Sequence, residues 1–120
     1  MANQSSLAVP SLEQDDAVVL CPTGRVDGTN VTILQSAVRE RLEAGQTNLV
    51  FDLVDLNYIS SAGLRVLLMA ARDLQAQGGK ALFCNLSEQI RQVFEITGFD
   101  KILSVHGNRE DALSAFDPLT

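Results

Sequence analysis

The chain has 120 residues, 46% hydrophobic but only 5% aromatic, and a formal net charge of −6. That length suits one compact domain burying roughly two-thirds of its unfolded surface, in a core of Leu, Val, Ile and Ala. The acid excess leaves no basic stripe for nucleic acid and no attraction to anionic lipid, and no apolar run approaches the ~20 residues of a membrane span.

The opening MANQSSLAVP has neither a basic start nor a continuous apolar segment, so no secretory leader is expected and the expected location is cytoplasmic. Residues 1–6 are small and polar and should fray. Positions 7–12 predict a short edge strand, where Pro10 is tolerated, and positions 13–16 a polar turn. Positions 17–26 predict a second strand, broken at Pro22. Leu34, Ala37, Val38 and Leu42 then share one face of a helix over 31–44, with Arg39, Glu40 and Glu43 outside. Thr29 or Asn30 is its expected cap and Gly45 its stop.

Positions 49–54, LVFDLV, predict a buried central strand carrying one aspartate. A short polar turn follows, and Leu64, Leu67, Leu68, Ala71 and Leu74 mark a helix that opens at Ser60-Ser61-Ala62-Gly63 and ends at Gly78-Gly79. Positions 81–84 predict another strand. A third helix starts near Ser87, turns Ile90, Val93 and Phe94 inward, and ends at Gly98, with Phe99 as the apolar contact after the cap. A last strand over 102–105 leads to a helix capped by Asn108, with acids in its first turn and Leu113 and Phe116 as anchors. Strands first, then alternating helices and strands, predict a single α/β domain over 1–120, its largely parallel sheet made mixed by the first hairpin.

Cys21 and Cys84 fall in apolar runs, as buried thiols in a reducing compartment do. His106, the single histidine, has no cysteine or histidine near it in sequence, so no metal ligand set is expected, and no cofactor. Neither G-x-x-x-x-G-K-[ST] nor G-x-G-x-x-G is present. Asp52 and Asp55 bracket the end of the central strand, where open α/β sheets often place their sites, yet capped turn amides explain them as well. Ser61 at a strand-to-helix turn invites comparison with a nucleophile elbow, but Ser-Ser-Ala-Gly-Leu lacks the G-x-S-x-G pattern. What remains is a serine beside the unpaired N–H groups of a helix start, a place for either a capping hydroxyl or a phosphate.

At these residues the chain resembles the STAS family, specifically the free-standing anti-sigma factor antagonists of bacteria. The resemblance rests on the strand LVFDL, the spacer VDLNY and the segment ISSAGLRVL. Gly24 to Asp27, Gly78-Gly79-Lys80 and the run from Val93 to Phe99 support it. It implies a mixed sheet with about four helices packed chiefly on one side, and a switch serine at Ser61. It further implies a binding protein without catalysis. Its partner would be an anti-sigma factor that is often a serine kinase of the histidine-kinase-like ATPase fold, and a metal-dependent serine phosphatase would reset the switch. The common pattern has aspartate where this chain has Ser60, and a second hydroxyl where it has Ala62, so Ser60 is a rival phosphate acceptor. Asn57, Tyr58, Ser60, Ser61, Ala62, Gly63, Arg65 and Asp27 are the expected partner-binding residues, with Gly63 admitting a close approach and Asp52 near the same sheet end. A constitutive STAS scaffold, without phosphorylation, is the alternative.

Overall fold

The computed structural model describes residues 7–116, so the frayed tail expected at 1–6 lies outside the described residues. The chain opens with β1 (Leu7–Ala8), β2 (Ser11–Gln14), β3 (Ala17–Leu20) and β4 (Thr23–Val26). These form one long hairpin that changes sheets part-way. β2 pairs antiparallel with β3, and β1 pairs antiparallel with β4. Pro10 and Pro22 sit at the crossing, where neither can donate a ladder hydrogen bond. The single edge strand expected over 7–12 is therefore two, split at Pro10. The expected four-residue turn shrinks to Asp15 and Asp16, both at positive φ (53° and 67°), which suits a tight two-residue hairpin turn.

The remaining elements are α1 (Val31–Glu43), β5 (Asn48–Asp52), β6 (Leu56–Ile59), α2 (Ser61–Ala76), β7 (Lys80–Cys84), α3 (Glu88–Thr97), a 3-10 turn (Phe99–Lys101), β8 (Ser104–His106) and α4 (Arg109–Ser114). The larger sheet has the order β2-β3-β5-β7-β8, parallel except at β2. The smaller has the order β1-β4-β6, with β4 and β6 parallel. β6 corrects the expectation of a polar turn after the central strand. Its buried residues are Leu56 and Ile59, with Asn57 and Tyr58 exposed between them, so no period-2 alternation announces it.

Two apolar layers hold the domain. On one face of the larger sheet, Leu34, Val38, Leu64, Leu67, Leu74, Ile90 and Phe94 from α1, α2 and α3 pack on Val18, Leu49, Phe51 and Phe83. Phe51 and Phe83 stack at 4.9 Å between centroids, and Phe83, Phe94 and Phe99 continue the row edge-to-face. Among the described residues, α4 alone covers the other face, setting Ala112 and Leu113 on Val19, Val50, Leu82 and Cys84. This is the expected arrangement of helices chiefly on one side. Ser87 caps α3 by accepting from Ile90 N, and Gly98 ends it in the left-handed region.

Candidate functional site

β4 and β6 run parallel and finish level with each other, Val26 beside Ile59. Ser60 follows directly, its N–H donating to the Val26 carbonyl at 2.9 Å. With φ −85° and ψ 173° its backbone is still extended, so the strand passes into α2 without a loop. Ser60 is the N-cap: its Oγ accepts from Gly63 N at 3.3 Å and its carbonyl from Leu64 N at 2.9 Å. Ser61 is the first helical residue. Its side chain is exposed and makes no hydrogen bond with another described residue, and the first turn of α2 contains no acid. The capping role thus falls to Ser60 and leaves the Ser61 hydroxyl unengaged.

Gly63 differs from expectation. It is buried, and a Cβ there would stand 2.6 Å from Val26 Cγ1 and 2.7 Å from Ile59 Cγ1. The missing side chain lets α2 seat on the small sheet; it does not open a path for a partner.

The other expected contact residues surround the two serines. Asn57 and Tyr58 are exposed on β6, and Arg65 is exposed one turn into α2, with Ala62 half-buried. Asp27, just beyond β4, accepts from Thr29 N at 2.9 Å and lies 3.9 Å from Arg25 Nε. Asn30 occupies the N-cap position of α1 but turns its amide back to this strand end. Its Oδ1 accepts from Asp27 N at 2.9 Å and its Nδ2 donates to the Arg25 carbonyl at 3.0 Å. Arg25 is a surface residue that sequence reasoning missed: its guanidinium lies 4.3 Å from the Tyr58 ring centroid. Only the parallel register, Arg25 beside Tyr58, brings them together.

Asp52 stands apart from this surface. It is buried; Oδ2 receives Arg109 Nε at 3.0 Å, and Oδ1 receives Asn85 Nδ2 at 3.1 Å and Val54 N at 3.2 Å. This is structural satisfaction of a carboxylate, part of it by a turn amide. His106 Nε2 lies 3.3 Å from Ser104 Oγ on β8, an edge of the larger sheet, and so pairs with a serine other than Ser61. Cys84 is buried and its thiol is pushed up to about 12, by burial first and then by the charge of Asp52. Cys21 is only half-buried, against expectation; burial raises its thiol too, and the nearby Arg109 charge opposes the rise. Among the described residues no cluster of His, Cys, Asp and Glu is arranged to hold a metal ion, and no helix is long and apolar enough to cross a membrane.

Residues 8–112 match the STAS domain. The chain belongs to the STAS family. It is 39% identical over 102 residues to BtrV of Bordetella bronchiseptica, named as a candidate anti-sigma factor antagonist, covering 85% of this chain and 88% of that one. It is 30% identical over 87 residues to the anti-sigma-B factor antagonist of Bacillus subtilis, covering 72% and 79%. Its fold superposes on the crystal structure of an anti-sigma factor antagonist from Mycobacterium paratuberculosis with a TM-score of 0.86, at 22% identity, covering 97% and 98% of the two chains. This STAS domain is a member of the anti-sigma factor antagonist family. Its geometry also accounts for the departure at Ser60: serine and aspartate rank alike as N-caps, so exchanging one for the other keeps the cap.

Proposed function

We propose that this protein is a cytoplasmic, phosphorylation-controlled antagonist with no catalysis of its own. Unphosphorylated, it holds an anti-sigma factor that is also a serine kinase of the histidine-kinase-like ATPase fold, and so frees a sigma factor for transcription. Phosphorylation of Ser61 by that partner ends the complex, and a metal-dependent serine phosphatase restores it. The contact surface is formed by Asn57, Tyr58, Ser61, Ala62 and Arg65, with Asp27 and Arg25 at its rim.

The observation that carries this reading is the division of labour between the two hydroxyls. Ser60 is committed to the helix, while Ser61 is exposed beside it at the positive end of α2. A phosphate on Ser61 would carry close to two negative charges next to N–H groups that have no intrahelical acceptor. The dipole favours that charge by about 0.3–1 kcal/mol, so the fold survives modification. A partner pressed against the same spot must desolvate or repel the phosphate, which costs it considerably more.

Phosphosite mapping tests this. Wild type, Ser60→Ala and Ser61→Ala would each be incubated with ATP and extract of the native cells, then fragmented in a mass spectrometer. Phosphate on Ser61 that is absent only from Ser61→Ala is the expected result. Phosphate on Ser60 would move the switch by one residue. An unmodified protein across several growth states would favour a constitutive scaffold.

A further inference from the structure

The sheet face opposite the three long helices is held in an unusual way for a buried layer. α4 has six residues, well below the ~12–15 at which an isolated helix becomes even marginally stable, so its helicity depends on docking. Its buried side chains are Ala112 and Leu113, and Ala115 and Phe116 reach the layer only at its margin. Beneath it lies an apolar strip of Val19, Val50, Leu82 and Cys84. Among the described residues Arg109 ties helix to sheet by two polar contacts, Nε to Asp52 Oδ2 at 3.0 Å and Nη2 to Cys21 Sγ at 3.6 Å.

The two ends of that ion pair differ. The Asp52 side chain is 3% exposed, whereas that of Arg109 is 32% exposed. If α4 lifts, the guanidinium moves a short way into water. The carboxylate keeps Asn85 Nδ2 and Val54 N on its other oxygen, so it is not orphaned in an apolar site. Both termini of the contact therefore have somewhere to go, and none of the core under α1, α2 and α3 need move.

We propose that α4 is a detachable strap latched by Arg109 on Asp52, which opens locally and uncovers the second apolar face of the sheet while the rest of the domain stays folded. Cys84 is a built-in reporter: it is fully buried in the layer that α4 closes, and its raised pKa keeps it unreactive while closed.

The experiment follows the labelling of Cys84 by a chromogenic aromatic disulfide in a Cys21→Ser background, at urea concentrations well below the unfolding transition. Local opening predicts a rate that changes by less than about twofold over the first 1 M urea. Global unfolding would raise it at least about fivefold, given the usual dependence on denaturant. Arg109→Ala should speed labelling about tenfold or more, the equivalent of losing one charge-assisted hydrogen bond, while keeping the flat dependence. Leu113→Ala should do the same through lost apolar contact, and serves if Arg109→Ala folds poorly; Arg91→Ala, at an exposed position of α3, should not. A rate that climbs steeply from zero urea would overturn the proposal. So would a destabilising variant remote from α4, such as Ser60→Ala in the cap of α2, that speeded labelling in proportion to its loss of global stability.

Discussion

Replacing Gly63 by alanine sets two ordinary effects against each other. In an exposed helix interior the change would stabilise by roughly 1 kcal/mol, because alanine is the better helix former. Here the new methyl would meet Val26 Cγ1 at 2.6 Å and Ile59 Cγ1 at 2.7 Å, about 1 Å inside normal carbon contact. Neither neighbour has room to yield: both are buried, both are β-branched with stiff χ1, and they lie side by side on paired strands. Overpacking of this kind costs typically 1–3 kcal/mol, and larger values are seen when backbone must shift. Two contacts this short against stiff neighbours put the cost at the upper end, about 2–3 kcal/mol. The net expectation is therefore a loss of about 1–2 kcal/mol, a fall in Tm of roughly 3–8 °C for a domain of this size. Urea denaturation followed by circular dichroism measures it, with Val26→Ala and the double variant completing a cycle. The double variant should lose less than the sum of the singles, since the smaller Val26 side chain receives the methyl. An unchanged or higher midpoint for Gly63→Ala would refute the close seating of α2, and with it the internal role assigned to this glycine.

The two serines should separate cleanly in the same assay. Ser60→Ala should cost about 1 kcal/mol through loss of the cap to Gly63 N, while Ser61→Ala should leave the midpoint within about 0.5 kcal/mol. Ser61→Asp should fold as wild type does but bind the anti-sigma factor at least tenfold more weakly by calorimetry, and equal affinity would favour a scaffold. Finally, a thiol raised in the fold holds its proton more tightly there than in the unfolded chain. Stability from Cys84 is thus fully present below the unfolded thiol pKa near 9 and is lost as pH climbs toward 12. Cys84→Ala should flatten the decline in Tm between pH 9 and 11.

Helix positions and their caps were largely legible in the chain, because Ser87, Gly98 and Asn108 act through neighbours three or four residues away. The central strand was legible as an apolar run. β6 was not, since a small sheet buried at Leu56 and Ile59 and open between them shows no alternation. Choosing between Ser60 and Ser61 as cap needs the exact residue at which extended backbone becomes helical, and sequence signals blur by more than that. The orientation of Gly63, the stacking of Arg25 on Tyr58 and the latch between Asp52 and Arg109 depend on register or on partners up to 57 positions apart. The STAS resemblance put the expected switch at Ser61 with Ser60 as its rival, and the geometry adds that Ser60 caps α2 while Ser61 is exposed.

If Ser61 takes a phosphate as proposed, the neutral cap at Ser60 sets the size of the charge step. With aspartate in that place the first turn of α2 would hold one negative charge before modification and close to three after it. With serine the same step runs from none to about two. On the proposed function, a partner docking here would compare a helix start free of acid with one carrying about two charges, set among the fixed charges of Arg25, Asp27 and Arg65.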